Sequence, residues 1–363
     1  MKVQKVSLGA HRYTWLVLDD DCLPIQPIST FLKYLTNLEK PAATIRAYAN
    51  HLKLYWEFIR LEKLNWATVI LEEVSSFINW LRFLHPNVIL ATTNSDQAQR
   101  KASTVNCILG ALSSFYRYQT RLGKSSVQLT EFAYNTHGTT NHYKALLHHV
   151  YKGKPVQKRL LKLRQHKEIL QTLTSDQLNQ VASACGHIRD QFLVMLLADT
   201  GLRIGQTLAL RHGDIKIWNN EIHVIYRQHN ENEASNKTRR PNIIHTSMEL
   251  MQLYNQYLST LTNEIADDDF VFVHLYNESK PLNYNAVNKM FMTISMQVGF
   301  RVMPHMLRHT HATQLLKDGW DPVFVQRRMG HASVQTTIDT YCHLDQKDLK
   351  EAYKGYLKRK EKK

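Results

Sequence analysis

Residues 151–168, YKGKPVQKRLLKLRQHKE, do most to limit what this chain can fold into. Lys152, Lys154, Lys158, Arg159, Lys162, Arg164 and Lys167 stand there against a single acid, Glu168. The run reads as a basic linker at a domain junction, and 363 residues are enough for two domains that each bury a core. A solvated charge run is the plain alternative. A connector that tracks phosphates suits this chain better, because its net charge is +15 and its pI near 9.5. Such a surplus argues for a polyanionic partner, since Lys and Arg that bind phosphates release condensed counterions.

The two sides of this run differ in pattern. Residues 1–25 alternate loosely around Tyr13 to Leu18 and meet Asp19-Asp20-Asp21, which predicts a short strand and turn. Ile45, Tyr48, Leu52, Tyr55 and Ile59 then recur at helical spacing. A further helix is expected from Leu71 to Leu84, stopping before Pro86, and a long polar loop from Asn87 to Ala102. A helix capped by Ser103 and ended by Gly123 follows. Beyond the basic run, helices are predicted near 175–199, 248–261 and 285–298, with strands at Glu221–Tyr226, Asn242–His245 and Phe270–Val273. Hydrophobic residues at 43% and charged residues at 21% describe a soluble globular chain. Cys22, Cys107, Cys185 and Cys342 show no CxxC spacing and read as reduced thiols of a cytoplasmic protein. Neither an export signal nor a membrane span is legible.

The chemistry concentrates near the C-terminal end, in PHMLRHTHATQLLKDGWDPVFVQRRMGHASVQTTIDTYCHL. Pro304 suits a first helical position and Gly319 a stop; Asp321-Pro322 reads as a cap and first turn, Gly330 as the next stop, Ser333 as a third cap. His305 and Arg308, three apart, share a helix face. Alone, that pair reads as a solvated basic surface. Upstream, Arg203 follows the helix-ending Gly201, and Lys237 lies in the polar loop between two strands.

In order, spacing and context, Arg203, Lys237, His305, Arg308, His331 and Tyr341 resemble the tyrosine recombinase (phage integrase) family. TGLRIGQTLALRHGDI, HMLRHTHATQLL and MGHASVQTTIDTYCHL are similar to that family's motifs, and the transposon-encoded transposase A type looks nearest. The resemblance is specific over residues 170–345 and weaker before them, where TIRAYANHLKLYWEFI looks like a helix of the family's core-binding domain. It implies a mainly α fold with a small antiparallel β-sheet, built as a two-domain DNA clamp. The expected organisation is an N-terminal extension (1–25), a helical core-binding domain (26–150), the basic linker (151–168), a tyrosine recombinase catalytic domain (169–345) and a basic tail (346–363) that packs on a neighbouring protomer.

The resemblance further implies a site-specific DNA recombinase, an integrase or transposase of a mobile element. It would act as a homo-tetramer on paired double-stranded DNA sites, with accessory recombination proteins as further partners and no membrane. Tyr341 would be the nucleophile of a covalent 3′-phosphotyrosyl intermediate, His305 the base, Lys237 the acid for the leaving 5′-oxygen, and Arg203, Arg308 and His331 the groups that neutralise the phosphate. No metal, cofactor or ATP is implied. His305, His309, His311, His331 and His343 suggest a metal cluster only until one looks for carboxylates or cysteines at ligand spacing, which are lacking. One departure stands out: Gln206 occupies a place where the family often has an acid. A type IB topoisomerase and a non-catalytic DNA-binding regulator are the competing readings.

Overall fold

The computed structural model describes residues 1–7, 9, 13–83, 100–134, 155–165, 171–227, 230–232, 234, 241–262 and 264–330. Lys237, His331, Ser333, Tyr341, most of the predicted 87–102 loop and the 346–363 tail lie outside them. The chain divides into two compact units, Met1–Lys167 and Glu168–Lys363.

The first unit begins with an antiparallel hairpin, β1 (Lys2–Ser7) and β2 (Tyr13–Leu18), in register from Lys2 opposite Leu18 to Ser7 opposite Tyr13. The sequence predicts only the second strand, because KVQKVS has too few apolar residues to show a period. Trp15 and Val17, two apart and hence on one face, enter the core. Residues read as an extension thus help to build the unit. Four helices complete it: α1 (Gln26–Asn37), α2 (Ala42–Leu61), α3 (Leu71–Arg82) and α4 (Ala102–Arg121). Ile45, Leu52, Tyr55 and Ile59 of α2 are buried as their spacing predicts, each contributing roughly 1.5–3 kcal/mol.

Polar groups in this core are paired in a chain. The Tyr116 hydroxyl donates to the Trp66 carbonyl at 2.8 Å, so the hydrogen shared between the Tyr55 and Tyr116 hydroxyls is Tyr55's. Burial pushes both phenols above their ordinary pKa. Helix α4 starts one residue before the predicted cap Ser103: Lys101 holds the N-cap position without a side-chain bond, and Gly123 follows the helix at φ +67°.

Part of the basic run belongs to this unit. Strand β4 (Pro155–Arg159) pairs antiparallel with β3 (Thr130–Tyr134). Buried Asn106 of α4 donates to the Leu163 carbonyl at 2.9 Å and accepts from its N–H at 2.8 Å, while Leu161 and Leu163 pack on the core. Backbone pairing does not require apolar side chains, which is why a strand hides in a charged sequence.

In the second unit, α5 (Ser175–Ser183) is capped by Thr174, whose side chain accepts from Gln177 N–H. Helix α6 (Ile188–Thr200) is the centre: Phe192, Leu193, Val194, Leu196 and Leu197 are all fully buried, so apolar residues surround it rather than forming a stripe. A short α7 (Ile204–Thr207) follows. Strands β5 (Ile215–Lys216), β6 (Glu221–Val224) and β7 (Asn242–His245) form an antiparallel sheet in that order. Next come α8 (Met248–Leu258), a hairpin of β8 (Val273–His274) and β9 (Asn277–Pro281), and α9 (Tyr284–Val298). The strand predicted at Phe270–Val273 is displaced toward β8, with Phe270 making an isolated bridge to Arg211.

Helices α10 (Pro304–Lys317) and α11 (Pro322–Met329) close the described chain. Their punctuation is as predicted. Pro304 begins α10, Gly319 follows it at φ +85°, the Asp321 side chain accepts the Val323 N–H at 2.7 Å, and Gly330 ends α11 at φ +60°. Helix α10 packs against both α6 and α11.

Candidate active site

Two helix C-termini meet here. Helix α6 ends in Gly201, left-handed at φ +63°, and the chain turns at once into Arg203, the N-cap residue of α7. A side chain at 201 would be strained and would also collide, since an added Cβ falls 2.7 Å from Met329 Sδ and 2.8 Å from His311 Cδ2. The Gln206 side-chain oxygen accepts the Arg203 backbone N–H at 3.0 Å, and its residue is buried. A neutral amide supplies that acceptor as well as a carboxylate would, so the departure at 206 is compatible with an ordered turn at Arg203.

Arg308 lies one turn into α10 and is only 2% exposed. Its guanidinium donates to the Gly201 carbonyl and, at 2.6 Å, to the Met329 carbonyl. Both terminal nitrogens of Arg203 stand 3.4 Å from the Gly330 carbonyl. The last carbonyls of a helix lack intrahelical partners and carry its negative dipole end. Here they receive the two guanidiniums predicted from sequence to act together. A buried cation is costly unless hydrogen-bonded. Carbonyls orient a guanidinium while carrying no net charge themselves, and its planar fork of donors matches an anion's oxygens.

His305 is exposed on the same helix face, its ring 4.4 Å from that of His309 in a T-shaped arrangement. His309 is buried, and burial, reinforced by His305 and Arg308, drives its imidazole down to about 4. The structure therefore brings Arg203 and Arg308 to adjacent carbonyls at the end of α11, with His305 three residues before Arg308 on α10. Lys237, His331 and Tyr341 lie outside the described residues, although Gly330, the residue before His331, is held by Arg203. The loop that bears Lys237 is anchored on its near side: Asn232 donates to the Leu208 and Leu282 carbonyls at 2.9 and 3.0 Å.

Three further residues at this junction carry no signal as single letters. His311 Nε2 accepts from Arg328 Nε at 3.0 Å, Arg328 also donates to the Asp199 carbonyl at 2.9 Å, and Asn242 Nδ2 is 3.4 Å from the Arg328 carbonyl. Helical spacing offered one clue: His311 is three residues after Arg308, hence on the same side of α10.

The resemblance to known proteins can now be set beside this geometry. The integrase from transposon Tn1549, solved in complex with a circular intermediate DNA, superposes with a TM-score of 0.62 at 17% identity over 91% of this chain and 99% of that one. A lambda integrase dimer bound to a COC′ core site gives 0.58 at 15% identity, over 87% and 76%. The fold is thus of the integrase class. In sequence, the phage integrase family model matches residues 171–348. Transposase A from transposon Tn554 of Staphylococcus aureus is 41% identical over 365 residues, 99% of each chain. Tyrosine recombinase XerC of Oceanobacillus iheyensis is 28% identical over 90% of this chain and 94% of its own. The chain belongs to the phage integrase family of tyrosine recombinases and is of the transposase A type.

Proposed function

We propose that this protein is a site-specific DNA recombinase of a mobile element, which cuts and rejoins strands through a covalent 3′-phosphotyrosyl intermediate. The observation that carries the reading is the convergence of Arg203 and Arg308 on the end of α11, immediately before His331. A phosphodiester resists attack because its non-bridging oxygens are negative. Fixed guanidinium donors stabilise the charge that builds on them as phosphorus becomes five-coordinate.

In this mechanism the Tyr341 oxygen attacks phosphorus while His305 accepts the phenolic proton. The bond to the 5′-oxygen breaks, and Lys237 gives that oxygen a proton. His331 donates to the same phosphate as the arginines. Because the ester retains the energy of the broken bond, reversal onto another 5′-hydroxyl needs no ATP, and protein side chains perform each step without a metal. The likeness to Tn554 transposase A over the whole chain supports the biological setting, and the DNA-bound state of the Tn1549 and lambda integrases supports duplex DNA as partner. On that basis the first unit, Met1–Lys167, rather than residues 26–150 alone, forms a core-binding domain, and residues 169–345 form the catalytic domain. Together they clamp DNA, and the enzyme works as a tetramer on paired sites.

A nicked suicide substrate tests this reading. Cleavage near the nick releases a short strand and traps the adduct. The wild-type chain is expected to give a DNA–protein adduct without added metal or ATP, and Tyr341→Phe none. An adduct of equal yield with Tyr341→Phe would assign the nucleophile elsewhere, and relaxation of plasmids lacking any element end would favour a topoisomerase.

A further inference from the structure

The lock beside the two arginines is not explained by their own bonds. His311 sits on α10 between α6 and α11. Its Nε2 accepts at 3.0 Å from Arg328 Nε, on the last turn of α11. Arg328 continues to the Asp199 carbonyl at 2.9 Å. A ring nitrogen that accepts carries no proton, so the imidazole is neutral in this pairing. The environment favours that form: burial, with Arg328 nearby, lowers the His311 pKa to about 4. Arg308, one turn earlier on α10, ties Gly201 to Met329 in parallel. Arg328, held by His311 of α10, and Arg308 thus join the same two helix ends, and Arg308 belongs to the proposed phosphate clamp.

We propose that His311 and Arg328 are positioning residues, which fix the end of α11 against α6 so that Arg203 and Arg308 face the scissile phosphate in a set geometry; this rests on the reading of those arginines as the phosphate clamp. Without the His311 acceptor, the Arg328 guanidinium remains partly buried with one donor unanswered. The last turn of α11 then shifts to reach solvent or another carbonyl. The Met329 and Gly330 carbonyls move with it, and so do the guanidiniums that they orient. Misplacement by about 1 Å at a reacting centre lowers rates by roughly a hundredfold.

The test compares two substrates on the full-length chain. One carries the ordinary scissile phosphodiester and the other a methylphosphonate there, which lacks one negative oxygen and needs less neutralisation. His311→Phe and Arg328→Leu are expected to bind the element end as wild type does and to cleave the phosphodiester at least about tenfold more slowly. On the methylphosphonate the deficit should shrink severalfold, as it should for Arg308→Ala. His311→Gln, which keeps one donor and one acceptor, should recover most of the rate, and this variant carries the test if His311→Phe does not fold. Equal deficits on both substrates for His311→Phe and Arg328→Leu, with Arg308→Ala still rescued, would overturn the positioning role and leave the clamp standing. Equal deficits for Arg308→Ala as well would remove the clamp reading, and the proposal with it.

Discussion

Gly201→Ala is the substitution whose cost can be worked out most fully. The residue is left-handed at φ +63°, where a non-glycine residue is disfavoured by about 1–2 kcal/mol. The new Cβ meets Met329 Sδ at 2.7 Å and His311 Cδ2 at 2.8 Å, both inside van der Waals contact. Forcing a methyl into a packed site typically costs about 1–3 kcal/mol, so the expected total is roughly 2–5 kcal/mol. Because Met329 is the residue whose carbonyl Arg308 holds, the strain also falls on the proposed phosphate clamp. Chemical unfolding of the full chain, followed by a probe in the second unit, measures the stability loss, and trapping on the nicked substrate measures cleavage. Adding Met329→Ala removes one of the two clashes and should restore part of the stability while leaving the φ penalty. A loss below about 0.5 kcal/mol for Gly201→Ala, with unchanged cleavage, would refute the close-packed junction inferred here.

Other outcomes follow from the same contacts. Gln206→Leu removes the acceptor of a part-buried backbone N–H and should cost about 1–3 kcal/mol and slow cleavage, whereas Gln206→Glu keeps the acceptor and should be milder in both measurements. His309 and His311 titrate near 4 in the folded chain, below the ordinary histidine value of about 6.5. Between those limits the unfolded chain binds protons that the native one does not. Stability should therefore fall as pH drops from about 6.5 to 4, by up to about 1.4 kcal/mol per pH unit for each histidine, and replacing either by Gln should flatten an unfolding-versus-pH curve. Tyr116→Phe breaks the hydrogen-bonded chain from Tyr55 to the Trp66 carbonyl and should destabilise the first unit by about 1–2 kcal/mol in denaturant titration.

What could be read from the sequence was mainly punctuation and period. Pro304, Gly319, Asp321 and Gly330 mark helix ends through local backbone physics, and all four act as their residue types predict. Helix α2 announced its buried face by spacing. Helix α6 did not, because a helix covered on every side has no polar stripe to set its phase. Strands β1 and β4 were hidden for the opposite reason: their pairing relies on backbone groups, and their side chains are largely polar or charged. At the site, motif order nominated Arg203, His305 and Arg308, and the fold brings the two arginines to neighbouring carbonyls of α11. His311 and Arg328 escaped notice because their partners are a carbonyl and each other, 17 residues apart in sequence. Such pairings depend on how the ends of two helices meet the middle of a third, which no single segment encodes.

The central claim is that Tyr341 carries the DNA strand. Digestion of the trapped adduct with nuclease and trypsin, followed by mass spectrometry, addresses it directly, because the tryptic peptide 329–347 contains a single tyrosine. The account predicts that this peptide carries a 3′-linked nucleotide on Tyr341. A nucleotide on any other peptide, or a linkage through a 5′-phosphate, would contradict it.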